Sequence, residues 1–117
     1  MNLPSYELLF QKLLSSLTLL CKGADEQISY LEELGVGPSA DELALEFDDC
    51  MGVVSELFEK GFVSIEFVQA VEELDQKLDL MSINADDVLW SFESLRNRKE
   101  WEDVRKIAKI SLKNLRK

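Results

Sequence analysis

Apolar residues recur at three- and four-residue spacing through almost the whole chain, and only Pro4 and Pro38 interrupt it. That period puts them on one face of an α-helix, whereas a half-buried strand would show strict alternation. An all-helical fold is the expectation. With 117 residues, 46% of them hydrophobic and 31% charged, the chain is long enough to bury one shared core and too apolar to stay disordered. Residues 1–117 are therefore read as a single domain, a compact bundle of about six helices. Short loops make mostly antiparallel neighbours the expected arrangement.

The spacing predicts a first helix from about Ser5 to Lys22, with Leu9, Leu13, Leu17 and Leu20 on its inner stripe and Gly23 as its stop. A second, short helix spans about Asp25 to Leu34. Gly35-Val36-Gly37-Pro38 then breaks the chain, and Ser39 followed three residues later by Glu42 reads as a capping box. It opens a long third helix expected to end at Gly61. Ser64 starts a fourth, with Phe67, Val71, Leu74, Leu78 and Met81 facing inward. Asn84 is expected to cap a fifth, with Asp86 and Asp87 in its first turn and Val88, Phe92 and Leu95 inside. The last begins near Trp101, carries Val104, Ala108, Leu112 and Leu115 on its inner face, and gathers Lys and Arg toward its C-terminus, where cations complement the helix dipole.

Charge narrows the function classes. The chain holds 23 acidic against 13 basic residues, net −10, which repels both phosphate backbones and anionic lipid. Nucleic acid and membrane are not expected partners. The charge is also segregated: residues 25–93 carry 19 acids against Lys60 and Lys77, net −17, while residues 96–117 are net +6. Histidine is absent, which removes the commonest general base and metal ligand. Cys21 and Cys50 have no metal-ligand spacing and read as small buried hydrophobes in a reducing cytoplasm. Leu13 to Cys21 could pass for the apolar part of a secretion signal, but Glu7 precedes it and no basic residue comes before Lys12. No apolar run approaches the roughly 18 residues that span a bilayer. No EF-hand, Gly-rich phosphate loop or di-iron Glu-x-x-His pair can be written from these residues, so neither catalysis nor a cofactor is expected.

The densest acids lie in the expected third helix. At about 100° per residue, Leu43, Phe47, Cys50, Val54, Leu57 and Phe58 fall on one half, and Glu42, Glu46, Asp48, Asp49 and Glu56 on the other. Leu45 and Val53 project from the acidic half, on either side of Gly52. Two readings stand for that pair: apolar anchors inside a charged rim, or a second buried face of a central helix. Trp90 poses the same question. It falls opposite the stripe of Val88, Phe92 and Leu95, as a partner-facing anchor or as a side chain half-buried against a neighbouring helix.

Three stretches, Tyr30-Leu-Glu-Glu-Leu-Gly, Ala40-Asp-Glu-Leu-Ala-Leu-Glu-Phe-Asp-Asp and Trp101-Glu-Asp-Val-Arg, occur in this order in a small acidic helical chain. In this the chain resembles the bacterial immunity proteins of contact-dependent growth inhibition, loosely over most of its length. The resemblance implies a cytoplasmic inhibitor; the missing histidine and cofactor motifs speak against catalysis, and a monomer is expected rather than a homo-oligomer. Its partner would be the cognate toxin's C-terminal domain, often a nuclease with a basic active site. The candidate partner-binding residues are then Glu42, Leu45, Glu46, Asp48, Asp49, Val53, Glu56 and Trp90. An acidic adaptor for a non-toxin protein, or an enzyme subunit completed elsewhere, are the rival readings.

Overall fold

The computed structural model describes residues 5–35, 37, 39–83 and 87–115. Among these residues the chain forms helices and no strands: α1 (Tyr6–Leu20), α2 (Ala24–Leu34), α3 (Asp41–Met51), α4 (Val54–Glu59), α5 (Ile65–Ile83), α6 (Phe92–Asn97) and α7 (Lys99–Lys113), with a 3-10 turn at Asp87–Trp90 before α6. The all-α bundle expected from the spacing is the observed architecture. Its main packing joins helices far apart in the chain: α7 lies on α5 and α1, and α1 also lies on α3. α5 and α7 run antiparallel, since the Ser64 N–H donates to the Leu115 carbonyl at one end and Lys77 pairs with Asp103 further along.

The caps explain most boundaries. Ser5 and Ser64 accept from the N–H groups of Leu8 and Phe67, satisfying free donors at the starts of α1 and α5. Gly35 closes α2 in the left-handed region at φ 68°. Gly23, expected to stop α1, is instead the N-cap of α2, because α1 has already ended at Leu20. The end of α1 is closed from outside. Buried Gln27 donates to the carbonyls of Leu19 and Leu20, and Arg105 on α7 donates to the carbonyls of Lys22 and Leu95 and to Gln27 Oε1. One guanidinium thereby ties α1, α2, α6 and α7 together at a helix C-terminus, where a cation also suits the dipole. Burial lowers the Arg105 pKa from its ordinary value.

Two expected helices are divided. The long third helix breaks at Gly52 and Val53 into α3 and α4. A helix-interior glycine weakens the helix by about 0.5–1 kcal/mol relative to alanine, which makes this the natural place to break. The break changes the register, so Val54 and Leu57 are buried as expected but Phe58 is 42% exposed. The helix expected after Asn84 is a 3-10 turn and a short α6 capped by Ser91, whose Oγ accepts from the Ser94 N–H. Asn84 and Asp86 lie outside the described residues, as do the side chains of Asp87 and Val88.

The core contains Leu13, Leu17, Leu20, Phe47, Phe67, Val71, Leu74, Leu78, Met81, Leu95, Val104 and Ala108, with Trp101 fully buried at its centre. Leu9, expected on the inner stripe of α1, is only half-buried. At the end of α7, Ser111 is buried while Leu112 and Leu115 are half-buried, because the inner face turns one position earlier than the apolar pattern suggested.

Candidate functional site

α3 is amphipathic in the ordinary way. Leu43 and Phe47 face the core, which forces the acids to the sides and the back. Leu45 is 55% exposed, so no second buried face exists at that position. Asp48 and Asp49 are exposed beside it, and Glu42 and Glu46 are half-buried. Val53 behaves differently from Leu45. It is half-buried and packs against the core just past the helix break.

None of the ion pairs among the described residues involves a carboxylate of α3. Five cations pair elsewhere: Lys22 with Glu26, Arg96 with Asp25, Lys77 with Asp103, Lys106 with Glu102 and Arg98 with Glu100. All of these pairs use acids of α2 and α7, and the α3 face takes part in none of them. It also extends onto α5, where burial first, and then Asp79 and Asp48, raise the Asp75 pKa.

Not all the candidate acids are equally free. Tyr30 on α2 donates its hydroxyl to Glu46, 2.6 and 2.9 Å from the two carboxylate oxygens. That hydrogen bond, followed by burial and the charges of Glu46 and Glu42, pushes the Tyr30 pKa up to about 12. Glu56 on α4 accepts from the Tyr6 hydroxyl at 2.7 Å, which ties α4 to the start of α1. Both acids thus hold helices together as well as contributing charge. Trp90 is half-buried, its ring edge-on to Trp101 with centroids 5.4 Å apart. Its carbonyl accepts from the Ala40 N–H at 2.7 Å, just before α3 begins. Of the two readings of Trp90, packing against a neighbour is what the geometry shows.

The feature not foreseen from the sequence is a groove of about 950 Å³ between α1 and α3. The acids Glu46 and Asp49 lie on its α3 wall with Cys50, and Val53 and Tyr30 also line it. The α1 wall carries Leu8, Leu9 and Leu19 together with Lys12, Ser16 and Lys22. Spacing along one helix could not reveal it, because the groove depends on how far apart two helices remote in sequence are held. The structure thus gathers Glu46, Asp49 and Val53 on the groove and sets Glu42, Leu45 and Asp48 on the same helix. Glu56 and Trp90 belong to other elements. Among the described residues, no group of three or more His, Cys, Asp or Glu could hold a metal ion, and no helix is long and apolar enough to cross a membrane.

No known family, curated protein or solved structure matches this chain. Within residues 30–35, 40–49 and 101–105, Leu31, Ala40, Leu43, Phe47, Trp101 and Val104 are buried and serve the core of the bundle.

Proposed function

We propose that this chain is an immunity protein. It binds a cognate toxin domain, a nuclease whose active site is basic, and covers that site with the acidic face of α3. The single observation that carries the reading is the row of carboxylates on α3, none of which forms an ion pair among the described residues. A nuclease site must hold phosphates, so a surface of fixed carboxylates can occupy it as a phosphate mimic. Opposite fields also speed encounter, toward about 10⁸–10⁹ M⁻¹s⁻¹ at low salt, and an inhibitor of an incoming toxin gains directly from speed. Leu45 supplies an apolar contact inside the charged rim, in the arrangement of a hot spot surrounded by groups that exclude water.

The test is co-expression in a susceptible strain with candidate toxic nuclease domains from the source genome. Growth is expected to recover with the wild-type chain and to fail with Glu42→Lys/Asp49→Lys at equal expression. Equal protection by the charge-reversed variant would contradict the proposal and favour an acidic adaptor acting through another surface.

A further inference from the structure

The outer faces of α3 and α7 carry the same pattern with opposite sign. On α3, Leu45 stands four residues after Asp41 and three before Asp48, and all three are exposed. On α7, Ile110 stands four residues after Lys106 and three before Lys113, and these are exposed as well. In each helix the charges flank the apolar residue one turn away on either side, about 10.5 Å from end to end at 1.5 Å per residue. Glu42 and Asp49 add to the acidic set and Lys109 to the basic one. The signs are unmixed: Asp41 to Asp49 holds no base, and no acid follows Asp103.

Neither set is committed within the molecule. No ion pair among the described residues uses a carboxylate of α3, nor Lys109 or Lys113. Lys106 meets only Glu102, at 3.8 Å between largely exposed side chains, and such a pair holds weakly. α3 and α7 each pack on α1 and on α5, which stand between them. Their outer faces therefore point to opposite sides of the bundle.

We infer that these faces fit a second copy of this chain, the α7 face of one copy docking on the α3 face of the next. Ile110 lies against Leu45, and Lys106 and Lys113 stand opposite the acids one turn to either side. Because each set is nearly symmetric about its apolar centre, the pairing holds for parallel or antiparallel axes. The occupant is selected by the match in sign and spacing within the chain itself. A nucleic acid or an anionic bilayer fits worse, since it would run past a basic patch only about 10 Å long onto α5, which carries five acids against Lys77. Faces on opposite sides cannot both be satisfied in a two-fold dimer, so the contact is head-to-tail and leaves one face open at each end. It joins one apolar residue and a few exposed charges a side, between copies of net charge −10. That makes it weak and reversible, below the roughly 1,200 Å² of standard interfaces. A copy engaged through α3 is closed to the partner proposed for that face, so the concentration of the chain regulates access to it.

Sedimentation velocity of the full-length chain tests this at about 0.1 M salt, where charges more than about 10 Å apart are screened while pairs in contact persist. The wild-type sedimentation coefficient is expected to rise from about 10 μM to about 1 mM without levelling at the dimer value. Asp48→Lys/Asp49→Lys and Lys106→Glu/Lys113→Glu, all at exposed positions, are each expected to stay monomeric with the wild-type circular dichroism spectrum. An equimolar mixture of the two variants is expected to associate, because it brings one intact α7 face to one intact α3 face. Should either pair disturb the spectrum, Ile110→Ser decides, with association expected to weaken at least threefold. A wild-type value constant with concentration, a plateau at the dimer, association indifferent to either reversal, or a mixture that stays monomeric would overturn the inference. So would a monomer that cosediments with a single-stranded oligonucleotide or anionic vesicles through the α7 lysines, which would give the patch to a polyanion. No toxin enters these measurements, so their failure leaves the proposed function standing, and a failure of growth protection leaves this contact standing.

Discussion

Leu45 and Tyr30 show how single residues decide what a helix face is for. Leu45 is 55% exposed, so trimming it removes little that folding needs. Leu45→Ala is expected to leave thermal stability within about 0.5 kcal/mol of wild type while speeding dissociation of the partner, with a loss of roughly 1–2 kcal/mol in binding. Thermal melts and binding kinetics on the same sample check both. Tyr30 makes the opposite case. Its hydroxyl is held by Glu46 and its pKa lies at about 12 instead of the usual 10.0, so the folded state favours the protonated phenol. The resulting stability is complete below the unfolded value and is lost as pH rises toward the folded one. Stability of the wild type is therefore expected to decline more steeply than that of Tyr30→Phe between pH 10 and about 12. Denaturant midpoints across that range measure it, and parallel curves would mean that the Glu46 contact has no such effect.

At the scale of elements, the sequence revealed α1, α2, α5 and α7 to within a residue or two at most ends, because each carries a continuous apolar stripe and most have a recognisable cap. What it could not reveal depends on tertiary context. Arg105 reads as one more cation of a basic tail, yet it serves as a C-terminal cap for α1, and only packing could make that so. The third helix reads as continuous across Gly52 because its apolar period nearly survives the glycine. Glycine weakens the helix there, but the break asks for no backbone conformation peculiar to glycine. Gly52 has φ −62° and ψ −17°, ordinary helical values, and a Cβ placed there meets nothing within 4 Å. Gly52→Ala is therefore expected to stabilise the fold by about 0.4–1 kcal/mol through the unfolded chain. A denaturant midpoint that falls instead would show that the flexibility of Gly52 is required to set α3 against α4. The candidate site was legible only on the α3 side. The acids and Leu45 were visible as a face, while the groove needed α1 in position.

Over the whole molecule, the segregation of charge has a kinetic consequence. The ion pairs among the described residues use acids of α2 and α7, so the carboxylates of α3, with those of α5 beside them, set up a negative field that screening weakens beyond about 8–10 Å near physiological salt. Association with a basic partner is expected to slow steeply as salt rises, and Glu42→Lys or Asp49→Lys to flatten that dependence with a smaller effect on dissociation. Stopped-flow mixing over a range of sodium chloride concentrations reads both quantities. An association rate indifferent to salt would place the interface away from the acidic face.

On the proposed reading, this chain neutralises a basic toxin domain by occupying its active site, one molecule to one. The most direct measurement is a titration, with purified chain, of the nuclease activity of a toxic domain against which it protects. A linear fall that reaches zero at equivalence is expected for the wild type, and a shallow, incomplete curve for Glu42→Lys/Asp49→Lys. Full activity beyond equivalence, or loss of activity at far less than one equivalent, would contradict that reading.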